Sequence, residues 1–98
     1  MNPVDAYKAE LTAYLKGFGA NVRSARTAKN PPCSQERLSY ETRLHRTEIG
    51  RIEQGMVEPR LTTLMILADG LDVTIDELLQ GLSVPRERKP AAHGGGWQ

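Results

Sequence analysis

The chain is predicted to be all-α: a bundle of short helices, a helical N-terminal extension, and a disordered tail. Three observations predict it. Apolar residues recur at three- and four-residue steps almost from end to end, and no segment alternates as a half-buried strand would. Its 98 residues suffice for one modest core and not for two. With one Trp, one Phe and three Tyr, that core must be aliphatic, drawn mostly from Leu and Ile.

Each element follows from local pattern. Val4, Tyr7, Leu11, Tyr14, Phe18, Val22 and Ala25 form one face of a helical segment from about Pro3 to Ala28. Pro3 suits an early helical position. Gly17 and Gly19 flank Phe18, and an interior glycine costs roughly 1 kcal/mol relative to Ala. Two helices meeting there are favoured over one long bent helix, with residues 1–16 as an extension ahead of a main domain at 17–82. "KNPP" (29–32) ends the segment, because a proline disfavours helix in the residue before it. Ser34 then caps a helix that turns Leu38 inward and ends near Thr42. Leu44 and His45 connect to a helix from Arg46 to Gln54, stopped by Gly55. "MVEPR" is a loop. Leu61, Leu64, Met65, Ala68 and Leu71 mark another amphipathic helix. Thr74 and Glu77 have capping-box spacing and open a last helix with Ile75, Leu78, Leu79 and Leu82 as its stripe. Residues 83–98 are rich in Pro, Gly and charge, the composition of a disordered tail.

The net charge of +1 says little, but its distribution says more. Residues 1–33 carry five Lys/Arg against two Asp/Glu, residues 34–60 five of each, residues 61–82 four acids and no base, and residues 83–98 three bases and one acid. A polyanion would be steered to one end of the fold. The N-terminal residues lack a basic start and an apolar run, so no secretory signal is expected. No stretch approaches the ~18 apolar residues of a membrane span. The single Cys33 cannot form an internal disulfide, which points to the reducing cytosol.

The helix at 46–54 carries the chemistry. Ile49 and Ile52 face the core, while Thr47, Gly50, Arg51 and Gln54, spaced i, i+3, i+4, i+7, make one outward stripe that Arg46 joins at its N-terminal end. Two short helices with a tight link, the second with an outward polar stripe, is a helix-turn-helix arrangement. Such a helix fits the major groove, where Arg pairs with guanine O6 and N7 and Thr offers a methyl to thymine. Gly50 then has a use: without a Cβ the backbone approaches DNA more closely. The plainer alternative is a tolerated surface glycine among solvated arginines.

Five segments in register, "FGANVRSAR", "SQERLS", "LHRTEIGRIEQG", "EP" and "LTTLMILADGLDVTIDELL", resemble the phage-repressor-like (XRE or Cro-like) helix-turn-helix family over roughly residues 18–80. The resemblance implies a five-helix DNA-binding domain that acts as a homodimer on a two-fold symmetric operator. It places Arg46, Thr47 and Arg51 at base-contacting positions. Gln35 falls where a side chain and helix N-terminus meet a phosphate, Arg60 at a backbone or minor-groove contact, and Arg26 and Glu53 at a structural salt bridge. Arg43, His45 and Gln54 border the same surface and complete the expected backbone contacts. The chain departs from the family pattern at Arg43, where the turn usually has glycine, so that a positive φ is expected there. It departs also at Ser39 for a small alanine, at His45 for a Ser or Thr cap, and in a linker about two residues longer.

No catalytic set is expected. Cys33 occupies a usual Leu position and reads as a small buried hydrophobe. His45 and His93 are the only histidines, so no metal site or triad assembles, and no cofactor is implied. Asp76 and Glu77 are explained by helix capping. Two functional readings stand. In one, the chain is a sequence-specific double-stranded DNA-binding transcription regulator, a homodimeric repressor. In the other, it is an antitoxin-like or adaptor module that binds a protein partner through its N-terminal helix, with DNA contact secondary. The five acids within residues 34–60 weigh toward the second.

Overall fold

The computed structural model describes residues 2–84 and 86. They form five helices: α1 (Pro3–Thr27), α2 (Gln35–Thr42), α3 (Arg46–Glu53), α4 (Leu61–Leu71) and α5 (Ile75–Leu78). Helix α1 packs on α3, α4 and α5, and α2 packs on α3 and α4. One core lies between them, built from Phe18, Val22, Cys33, Leu38, Ile49, Ile52, Leu67, Ala68, Leu71 and Leu78.

Helix α1 is a single 25-residue helix, where two were favoured. Its glycines mark close approach and not a break. A Cβ on Gly19 would collide with the carbonyl oxygens of Ile52 and Glu53, and one on Gly17 with the Leu82 side chain. The packing that these bare positions permit offsets their helical cost. Asn2 caps the start by accepting the Asp5 N–H at 2.9 Å. The buried stripe also differs from the expected one: Leu15 is buried, whereas Val4 is exposed.

Helix α4 is rotated relative to its expected face. Thr63, Leu67, Ala68 and Leu71 are buried, whereas Leu61 and Met65, assigned inward from the pattern, are 70% and 54% exposed. Residues 64–68 are apolar without interruption, so periodicity there selects no single face. Helix α5 closes the expected capping box but ends at Leu78, so Leu79 and Leu82 pack on the core from the turn that follows. Gly81, at φ +80°, reverses the backbone there. The Asn21 amide of α1 donates to the carbonyls of Leu78 and Gln80 at 2.8 and 2.9 Å and satisfies the orphaned end of α5. Beyond it, the Arg86 N–H donates to Glu10 of α1 at 2.6 Å. Most of the expected disordered tail, including His93 and Trp97, lies outside the described residues.

Candidate nucleic-acid interface

The turn between α2 and α3 sets the orientation of α3. Arg43 ends α2 in the left-handed region at φ 67°, ψ 11°, a conformation costing a non-glycine residue roughly 1–2 kcal/mol. Local hydrogen bonds hold it. Arg43 N–H donates to Ser39 O at 2.8 Å. The Thr42 hydroxyl donates to Leu38 O at 2.6 Å and accepts the Leu44 N–H at 3.3 Å. The Ser39 hydroxyl donates to Leu44 O. Ser39, in place of a small apolar residue, thus ties the turn back to α2.

The inner side of α3 is locked in two ways. Ile49 and Ile52 are in the core. Beside them the Glu53 side chain is fully buried and joins three helices. Arg26 of α1 donates from Nε to Glu53 Oε2 at 2.7 Å and from Nη2 to Oε1 at 2.9 Å. Gln35 of α2 donates to Oε1 at 3.0 Å, and Arg23 adds a longer contact at 3.4 Å. Arg26 also donates to Cys33 O at 2.8 Å, which ties down the linker ahead of α2. Burial pushes the Glu53 carboxyl up, but the hydrogen bonds from Arg26, Gln35 and Arg23 and the Arg26 charge outweigh it and hold the group below the ordinary carboxylate range. Hydrogen bonding to Glu53 raises Arg26 in turn, against the opposing effect of burial.

The outer side of α3 is free of such ties. Arg46, Thr47, Arg51 and Gln54 are exposed. They share a shallow hollow of about 350 Å³ with Gly50 and Gln35. A Cβ on Gly50 would meet nothing closer than Gln35 Oε1 at 3.7 Å, so the fold has room for a side chain there. Arg46 lies 3.9 Å from Glu36 in an exposed ion pair, of a kind worth little in water. Thr47 and Arg51 also line a second hollow, with His45 and Arg60. His45 in turn shares a third with Arg43 and Tyr40. Neighbouring hollows share His45, or Thr47 and Arg51, and between them the three are lined by every expected contact position. Gln35 differs in role from the others: its amide is already committed to Glu53.

Two features escaped sequence reasoning. Tyr40, 86% exposed on α2, gave no periodic signal. Gln35 reads as a surface residue because its partner lies 18 positions away. His45 caps α3 by backbone geometry alone, with no side-chain hydrogen bond. Cys33 is buried.

Comparison with known proteins matches residues 33–78 to the helix-turn-helix family. The chain is 45% identical over 64 residues to the control protein C.SmaI of Serratia marcescens, covering 63% of this chain and 74% of that protein. It is 39% identical over 62 residues to the control protein C.BamHI of Bacillus amyloliquefaciens, covering 63% and 75%. The crystal structure of the restriction-modification controller protein C.AhdI from Aeromonas hydrophila is similar at a TM-score of 0.63 and 38% identity, covering 67% of this chain and 97% of that one.

Proposed function

From its place in the helix-turn-helix family of DNA-binding transcription regulators, to which this chain belongs, we propose that it reads a specific operator by inserting α3 into the major groove. Arg46, Thr47 and Arg51 contact base edges. Arg43, His45, Gln54, Arg60 and the N-terminal end of α2 at Gln35 contact the backbone. The observation that carries this reading is the two-sidedness of α3. Its inner side is locked by Ile49, Ile52 and Glu53, and its outer side presents three side chains able to read bases, around an unneeded bare position. Phosphate contacts set register and most of the affinity, and the base contacts discriminate.

The regulator acts as a homodimer and represses. Leu61, Met65 and Ile66 on α4 expose an apolar face that the other described residues leave uncovered, and a second copy of the chain is the proposed cover. Two copies related by a two-fold axis would place their α3 helices for half-sites about 34–36 Å apart. The similarity to C.AhdI, named as a restriction-modification controller, suggests that the regulated genes belong to such a system. The reading as a protein-interaction module is less favoured, since it leaves the outer side of α3 without a role.

Selection of bound duplexes from a random pool tests the proposal. A symmetric site should emerge, and its affinity should fall steeply with salt. Arg51→Ala should lose about 1–3 kcal/mol of discrimination at one base pair. Full specificity in that variant would remove Arg51 from the reading surface.

A further inference from the structure

We infer that Glu48 reads a cytosine, its carboxylate accepting the 4-amino hydrogen presented in the major groove beside the guanine taken by Arg51. This rests on the reading of α3 given above. Glu48 is the third residue of α3, in the first turn. A glutamate there ordinarily reaches back to the N–H of the capping residue. Glu77 does so in α5, accepting Thr74 N–H at 3.3 Å, while the Thr74 hydroxyl accepts Glu77 N–H at 3.1 Å. The corresponding pair in α3, His45 and Glu48, forms no capping box.

Among the described residues the Glu48 carboxylate makes no hydrogen bond or ion pair. It lines a hollow of about 390 Å³ with Thr47, Arg51 and Arg60, yet pairs with neither arginine. Arg51 lies three residues along, a neighbour on the helix surface. The outer side of α3 therefore carries fork-shaped donors in the middle and an uncommitted acceptor on one flank.

A carboxylate is an acceptor only, so phosphate repels it. In the major groove only cytosine N4 and adenine N6 donate. Adenine sets its amino group beside N7, an acceptor that opposes the second carboxylate oxygen. Cytosine presents its amino donor with no acceptor beside it on the same base, so a cytosine in the base pair adjacent to the Arg51 guanine suits Glu48.

The test uses the full chain and the duplex enriched from the random pool, with every base pair exchanged in turn. Wild type, Glu48→Ala and Glu48→Gln are compared, with circular dichroism to establish that each variant is folded. Glu48→Ala should lose about 5- to 150-fold discrimination for cytosine at one position next to the Arg51 guanine, with the salt slope unchanged. Glu48→Gln should shift the preference there toward adenine, whose N6 and N7 suit an amide. N4-methylcytosine at that position should weaken wild type and leave Glu48→Ala indifferent. A uniform gain in affinity for all duplexes in Glu48→Ala, with a steeper salt slope, would mean that the carboxylate faces phosphates and would overturn the inference alone. Failure to enrich any duplex would overturn both it and the reading it rests on.

Discussion

Helices α3 and α4 are both short, and each buries one side, yet their exposed sides differ in kind. On α3 the outer residues are Arg46, Thr47, Arg51 and Gln54 around Gly50. On α4 they include Leu61, Met65 and, more marginally at 38% exposure, Ile66. The polar face is stable in water and equally able to meet the polar edges of bases. The apolar face loses free energy for as long as water covers it, roughly 25 cal/mol per Å². The difference teaches how the two surfaces divide their proposed tasks: α3 meets nucleic acid, and α4 meets protein. The inner sides differ too. Helix α4 is held by Leu67, Ala68 and Leu71, whereas α3 adds a buried charge to its two isoleucines.

The largest effect should come from removing that charge. Glu53→Ala leaves Arg26 largely buried without its partner and should cost about 3–5 kcal/mol of stability, measured by denaturant unfolding. Because the fold depresses the Glu53 pKa, its contribution is present above the ordinary value near 4.5 and is lost as pH falls through the lowered folded value. Wild type should therefore weaken in acid, while Glu53→Gln should start weaker at neutral pH and lose that part of the slope. If Glu53→Gln matched wild type at both pH values, α3 would be held by apolar packing alone, as α4 is.

Next in size is the α4 surface. Met65→Glu should leave the monomer's stability within about 0.5 kcal/mol but break the proposed dimer into monomers in sedimentation. Operator affinity should fall about tenfold or more, equivalent to 1.4 kcal/mol. A variant that stays dimeric would move the protein-facing surface away from α4.

Helix ends give smaller effects. Thr74→Ala should cost about 1 kcal/mol by opening the α5 box, whereas His45→Ser should add a comparable amount, because the α3 cap lacks a side-chain acceptor. Thermal melting distinguishes the two. The smallest change is Gly50→Ala. Its Cβ has space, so stability should rise by about 0.5–1 kcal/mol while operator binding weakens. A gain in both would make Gly50 a tolerated glycine and α3 an ordinary surface helix.

Much of this was legible in the residues. The Ser34 cap, the Thr74–Glu77 box and the outward stripe of α3 are all local, determined by chemistry within four residues, whereas the left-handed position at Arg43 was expected only from the family resemblance. The expectation of two helices in the first segment failed for an equally specific reason. Gly17 and Gly19 read as breaks when the chain is considered alone, and as contact points once Leu82 and the end of α3 lie against them. The face of α4 was ambiguous because its apolar residues outnumber the places its core side can take.

The sequence by itself thus determined which segments are helical, where most of them begin and stop, and which side of α3 turns outward, because capping, turn geometry and helical periodicity act over a few residues. Only the tertiary structure decided that α1 is continuous, that α4 exposes Leu61 and Met65, that Gln35 serves Glu53, and that Glu48 is left without a partner. Those outcomes depend on contacts between residues distant in the chain, where close packing and the pairing of a buried charge select among conformations that local preferences leave nearly equal.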